Sequence, residues 1–224
     1  MSHFEIEVKS LLGEKEKAEA LKDRMQELDP NTKLVSQNSQ LNHYFKDGDV
    51  QKLFTKVEHL FTGVEHEKLQ KVIERGMSFS VRTRQKDEEV LLVVKAAIDD
   101  GTSENTVKRI EFEEAVGISL KELDSLVLEA GFSYQAKWSR EREEYTYKDV
   151  GVCIDRNAGY GYLAEVEKLV SDESQVDAVH DEINAVMGEL GLSELQQDRL
   201  GRMFDFYNEN WAEYYGTNKT FSIE

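Results

Sequence analysis

An antiparallel α+β fold follows from three features of the 224-residue sequence. Short segments of alternating apolar and polar residues recur along the chain. Amphipathic segments of helical period separate some of them. Short turns join many of the alternating segments, and no stretch rich in Gly, Pro or Ser, no low-complexity tract and no tandem repeat divides the chain. Residues 1–224 are therefore expected to form one domain, with strands up to about residue 170 and helices over 173–216.

The first alternating segment is FEIEVK, residues 4–9. A strand turns successive side chains to opposite faces, so Glu5, Glu7 and Lys9 share one face and Phe4, Ile6 and Val8 the other. Two carboxylates side by side repel, and a bound cation is one way to make that arrangement worthwhile. Residues 14–28 carry Ala18, Leu21, Met25 and Leu28 at helical spacing. A short strand is expected around Tyr44. Residues 50–74 read as one long amphipathic helix through Leu53, Val57, Leu60, Phe61, Val64, Leu69, Val72 and Ile73.

Strands resume at 79–85, with Arg82 and Arg84 on one face, and at Val90 with VLLVVKA, which includes Lys95. GTSEN, 101–105, reads as a hairpin loop. RIEFEEA follows, with Arg109, Glu111 and Glu113 opposite Ile110 and Phe112. Ser119 is an expected N-cap for a helix that stops at Gly131. Further strands begin at Ser139, with Arg140 and Arg142 together, at Val150, with Asp155, and at Leu163, with Glu165 and Glu167 opposite Ala164 and Val166. Helices are expected over 173–190 and, capped by Ser193, over 193–215; the tail beyond Gly216 reads as loop.

Formal net charge is -17. Such a surface repels nucleic acid and anionic membranes, so neither is an expected partner. No apolar run approaches the ~20 residues that span a bilayer, and no signal-peptide pattern opens the chain. The lone Cys153 excludes an internal disulfide, and a cytoplasmic location is the expectation.

The charges are sorted by sign along the sequence. Acids pair on the first strand (Glu5, Glu7) and on the last (Glu165, Glu167), with Asp155 just before. Bases dominate between them: Arg82, Arg84, Lys95, Arg109, Arg140 and Arg142, joined by Lys9. If the sheet closes, the first and last strands meet or face each other and the acids form one cluster. Clustered carboxylates are hard oxygen ligands for Mg²⁺ or Mn²⁺. Arginines and lysines supply donors for phosphate oxygens. Together they suit a metal–polyphosphate complex. Solvated sheet faces and ordinary cross-strand Glu–Arg pairs also produce such alternation. The ordering of signs over several strands favours a site, whereas the RIEFEE strand mixes them.

This ordered set resembles the CYTH superfamily, the triphosphate tunnel metalloenzymes. That superfamily includes class IV adenylate cyclases, thiamine triphosphatases, inorganic triphosphatases and fungal-type RNA triphosphatases. The matching features are ExExK at Glu5, Glu7 and Lys9, YF at Tyr44, RxR at Arg82 and Arg84, the lysine strand at Lys95, and RxExE from Arg109 to Glu113. Arg140 to Tyr145 and the closing ExE at Glu165 and Glu167 complete it, over about residues 3–170.

The resemblance implies an eight-stranded antiparallel barrel forming a tunnel, decorated by helices. It implies that Lys9, Arg82, Arg84, Lys95, Arg109, Arg140 and Arg142 bind phosphates. It further implies that Glu5, Glu7, Asp155, Glu165 and Glu167 bind metal, and that Glu111 and Glu113 support them. Glu5, Glu7 and Lys9 are the expected catalytic group. Arg140 departs from the lysine of many members without losing its charge. The expected activity is Mg²⁺- or Mn²⁺-dependent hydrolysis of a small triphosphate: tripolyphosphate, thiamine triphosphate or a nucleoside triphosphate. Cyclisation of ATP to cyclic AMP and pyrophosphate, or polyphosphate binding without turnover, are the alternatives. Oligomeric state, monomer or homodimer, is open.

The remaining candidates point to packing. His3, His43, His59, His66 and His180 show no zinc spacing. Cys153 alternates with Val152 and Ile154 as a small strand residue, and GYGY from Gly159 lacks the context of a phosphate-binding loop.

Overall fold

The computed structural model describes residues 4–97, 109–170 and 173–223; the side chains of residues 4, 5, 109 and 173 lie outside that description. The hairpin loop expected at 101–105 therefore falls outside the described residues. Eight strands form one antiparallel sheet: β1 (Phe4–Gly13), β2 (Lys33–Lys46), β3 (Ser78–Lys86), β4 (Glu89–Ala97), β5 (Arg109–Val116), β6 (Ser133–Tyr147), β7 (Val150–Asn157) and β8 (Gly161–Val170). Their order is β1-β8-β7-β6-β2-β3-β4-β5. The helices are α1 (Lys15–Leu28), α2 (Val50–Val57), α3 (Gly63–Arg75), α4 (Leu120–Glu129), α5 (Val176–Glu189) and α6 (Gln197–Tyr214). No helix among the described residues is long and apolar enough to cross a membrane.

The chain divides into two compact units, one of residues 1–39 with 139–224 and one of residues 40–138. In the first, β1 pairs antiparallel with β8, and β8 with β7, which pairs with β6. The apolar face of this group carries Ile6, Val8, Val150, Val152, Ile154, Ala164 and Val166. The buried stripes of α1 (Ala18, Leu21, Met25) and α5 (Val179, Ile183, Met187) belong to the same core. Burying each large aliphatic side chain there is worth about 1.5–3 kcal/mol. The described charged candidates of these strands, Glu7, Lys9, Arg140, Arg142, Asp155, Glu165 and Glu167, lie on the other face.

The C-terminal part is tied to the same strands. Leu195 donates its backbone N–H to the Lys9 carbonyl at 2.7 Å. Gly159 and residues 219–221 exchange two backbone hydrogen bonds of 2.8 and 2.9 Å, and Tyr160, Tyr207 and Phe221 cluster behind them.

In the second unit, β3 pairs with β2 and β4, and β4 with β5. Val81, Val90, Leu92, Val94, Ala96 and Phe112 join Leu53, Val57, Leu69, Val72, Leu123 and Val127 in a separate core under α2, α3 and α4. The expected capping at Ser119 is present as a reciprocal pair: Ser119 Oγ accepts from the Glu122 N–H, and the Glu122 carboxylate accepts from the Ser119 N–H.

Three expectations are corrected in extent. The single helix over 50–74 is two helices separated by a 3₁₀ turn at Glu58–Leu60 and restarting at Gly63, whose φ of +53° suits glycine. The last helix starts at Gln197, not at a Ser193 cap. The strand around Tyr44 is long, 14 residues from Lys33.

Candidate functional site

Register builds the first charged face. Lys9 stands opposite Glu165 and Glu7 opposite Glu167 across β1–β8. Cys153 stands opposite Glu165, and Gly151 opposite Glu167, across β7–β8. Arg142 stands opposite Asp155, and Arg140 opposite Asn157, across β6–β7. Glu5 occupies the next like-facing position of β1, and its side chain lies outside the description.

The Lys9 ammonium sits between two acids, 2.5 Å from Glu7 Oε1 and 3.4 Å from Glu165 Oε1. Burial alone would lower its pKa, but Glu165 and Glu7 outweigh that and raise it. Arg142 is the hub of the other side. Its Nε and Nη2 grip both oxygens of Asp155 at 2.7 and 2.6 Å, and Nη2 also reaches Glu165 Oε2 at 2.5 Å. Arg140 Nη1 adds a bond of 3.0 Å to Asp155. Burial opposes the Arg142 charge, yet the Asp155 and Glu165 carboxylates raise its pKa above the usual arginine value. Glu165 is held below the usual carboxylate range: burial pushes it up, and the charges of Lys9, Arg142 and Arg140 pull it down further.

Acids and bases are thus interleaved, not segregated. Asp155, expected among the metal ligands, is 1% exposed and engaged by Arg140 and Arg142. Among the described residues, the His, Cys, Asp and Glu atoms grouped closely enough for a metal are those of Cys153, Glu165 and Glu167, all within 4.8 Å of one another. Burial pushes the Cys153 thiol up to about 12. Its position in this group was not legible, because strand alternation gives a face but not a neighbour.

The second unit has its own charged face. Arg82 and Arg84 of β3 stand opposite Tyr44 and Asn42 of β2. Lys95 of β4 stands opposite Glu111 of β5, and Arg109 extends the same face of β5 with its side chain undescribed. Arg84 bonds Glu113 Oε1 at 2.6 Å and Asn42 Oδ1 at 2.7 Å. Lys95 Nζ lies 2.9 Å from Glu111. The Arg82 guanidinium lies 4.7 Å from the centre of the Tyr44 ring, and its buried Nε has no hydrogen-bond partner. A cation stacked on an aromatic ring without a described carboxylate is positioned to take an anion. Asn42 was not singled out in the sequence; its place two residues before Tyr44 is the only signal there.

His43 points the other way, into the helix-packed side. Its Nδ1 lies 2.7 Å from Asp124 Oδ2, and Asp124 also accepts from Thr83 Oγ1 at 2.6 Å and the Tyr134 hydroxyl at 2.7 Å. Burial raises the Asp124 pKa, but the three hydrogen bonds win and the net shift is downward. This network joins α4 to β2 and β3, as expected of a packing histidine.

A family model described as the CYTH domain matches residues 71–201, more than half of the chain. The matched range includes both arginine pairs and the closing Glu165 and Glu167, and begins after Glu5, Glu7 and Lys9. No curated protein sequence matches. Among solved structures, a conserved hypothetical protein from Pyrococcus furiosus is 21% identical with a TM-score of 0.56, covering 85% of this chain and 93% of its own. The PH1012 protein from Pyrococcus horikoshii is 19% identical with a TM-score of 0.57, covering 85% and 92%. A candidate adenylate cyclase from Vibrio parahaemolyticus is 15% identical with a TM-score of 0.57, covering 92% and 99%. At these identities the likeness is one of fold.

Proposed function

Since the chain belongs to the CYTH domain family, we propose that it hydrolyses a small triphosphate with the help of a divalent cation. One observation carries the reading most directly: the carboxylates of Glu165 and Glu167 lie together on the strand face that also holds Lys9, Arg140 and Arg142. Closely set carboxylate oxygens fit a hard cation such as Mg²⁺ or Mn²⁺. Glu165 and Glu167 would hold it, with Glu5 and Glu7 from β1. Asp155 takes a different part in this reading, aligning Arg140 and Arg142. When bound, the cation would neutralise phosphate charge and make a water molecule more acidic.

The chain's own groups do the rest. Arg142 and Arg140, held in place by Asp155, offer their remaining N–H groups to phosphate oxygens. Lys9 is strongly protonated between Glu7 and Glu165 and would turn to the incoming anion once a cation takes over those acids. Arg82, Arg84, Lys95 and Arg109 are also proposed to bind phosphate, with Glu113 and Glu111 orienting Arg84 and Lys95. Charge developing on the leaving phosphate would be met by positioned cations, which is how phosphoryl transfer is mostly accelerated. The products would be orthophosphate and a diphosphate.

Incubation with Mg²⁺ or Mn²⁺ and, separately, tripolyphosphate, thiamine triphosphate and ATP tests the proposal. Orthophosphate plus a diphosphate supports it and ranks the substrates. Cyclic AMP plus pyrophosphate from ATP replaces it with a cyclase, and metal-dependent binding without any product replaces it with a polyphosphate-binding protein.

A further inference from the structure

We infer that Cys153 is a further, sulfur ligand at the cation position of Glu165 and Glu167, so that this position accepts zinc or cadmium in competition with magnesium or manganese. The inference rests on the metal role proposed above for the two glutamates. Three independent features support it. First, Sγ of Cys153 and one oxygen of each carboxylate lie within 4.8 Å of one another. Ligands on one zinc ion stand at most ~4.4 Å apart, given Zn–S near 2.3 Å and Zn–O near 2.1 Å. Small side-chain adjustments therefore complete a three-point set.

Second, Cys153 is 2% exposed and has no hydrogen-bond partner among the described residues. Its neighbours Val152 and Ile154 turn to the apolar core, whereas Cys153 turns to the charged face. A buried thiol aimed at two carboxylates has little reason to be there for packing alone. Third, Gly151 makes room for the arrangement. A Cβ at that position would come within 3.0 Å of Glu167 Cγ and 3.2 Å of Glu167 Oε1. The missing side chain lets the Glu167 carboxylate occupy the space beside the thiol.

Magnesium, a hard cation, gains nothing from sulfur, while zinc and cadmium gain a strong ligand. Their binding replaces the thiol proton, which passes to the buffer. Two oxygens and one sulfur thus make a position that hard cations can use and softer ones can block.

The test is a titration of the purified full chain with Cd²⁺ in the absence of substrate, read by the ultraviolet thiolate-to-cadmium charge-transfer band. The expected result is a band that saturates at a single equivalent, recedes on adding excess Mn²⁺, and is missing from both Cys153→Ser and Cys153→Ala. Two cysteine variants guard against one that fails to fold. Glu167→Gln should weaken Cd²⁺ binding at least ~10-fold, the loss that even an outer partner of a metal ligand causes. Absence of the band in the unaltered chain overturns the inference; so does a band whose affinity Glu167→Gln leaves unchanged. Mg²⁺-dependent hydrolysis without the band sinks the thiol ligand and leaves the triphosphatase standing. The band without any hydrolysis supports the ligand set and sinks the triphosphatase.

Discussion

Replacing Asp155 with Asn separates two roles for a buried carboxylate. If Asp155 chiefly repels other acids around a cation site, removing its charge relieves strain and raises stability. The observed contacts predict the opposite. Asp155 is 1% exposed and accepts three hydrogen bonds from Arg140 and Arg142 at 2.6–3.0 Å. Removing one partner of a buried ion pair costs about 3–5 kcal/mol. Asn keeps one acceptor oxygen, and Arg142 keeps its 2.5 Å contact to Glu165. The low end, about 3 kcal/mol, is therefore expected. For a chain of this size each kcal/mol moves Tm by roughly 2–4 °C, which gives a fall of roughly 6–12 °C. Thermal unfolding followed by circular dichroism, without added metal, reads it directly. An unchanged or higher Tm would refute the claim that Asp155 serves to hold the two arginines.

Glu7→Gln should cut Mg²⁺-dependent turnover at least ~10-fold while leaving the far-ultraviolet spectrum intact; near-normal turnover removes Glu7 from the metal set. Arg84→Ala should mainly raise KM for the triphosphate, and unchanged KM and kcat would show that this arginine does not meet substrate. The lowered pKa of Asp124 contributes stability that is present above the unfolded carboxylate value, about 3.9, and is lost as pH falls through the lower folded value. The stability gap between the unaltered chain and Asp124→Asn should accordingly close in urea titrations below about pH 4; a gap independent of pH contradicts the ionised network. Gly161→Ala should destabilise by more than ~2 kcal/mol, because φ is +73° and a Cβ would meet the Gly13 carbonyl oxygen at 2.2 Å; a Tm within a degree of the original would mean that the turn re-forms elsewhere.

Much of the strand pattern was legible because apolar residues alternate in it. The pairing of the first strand with the last was foreseeable from their matching acids, and β1 does pair with β8. The first part of β2 was not. Its buried positions Asn38, Gln40 and Asn42 are polar, while Leu34 and Val35 are exposed, so hydrophobic periodicity fails there. The break in 50–74 was hidden for the converse reason. Apolar spacing runs on through Leu60, Phe61 and Val64, although Val64 is 69% exposed. Ser193 resembles a cap, yet the segment after it is drawn to β1 through Leu195. For the site, alternation told which side chains share a face. Which acid meets which base depends on register, and register placed Asp155 opposite Arg142 and Cys153 beside Glu165.

The pairing of β1 with β8 also sets an order of assembly. Lys9 and Glu165 are neighbours in space but far apart in sequence, with residues 40–138 forming a contiguous unit in between. Bringing such distant segments together carries a loop-closure cost and slows folding. On a ribosome, β1 must wait until residues 161–170 have been made before its partner exists. The contiguous unit can consolidate during that wait, whereas the edge carrying Glu7 and Lys9 pairs only once β8 has emerged, and Leu195, which bonds the Lys9 carbonyl, follows later still.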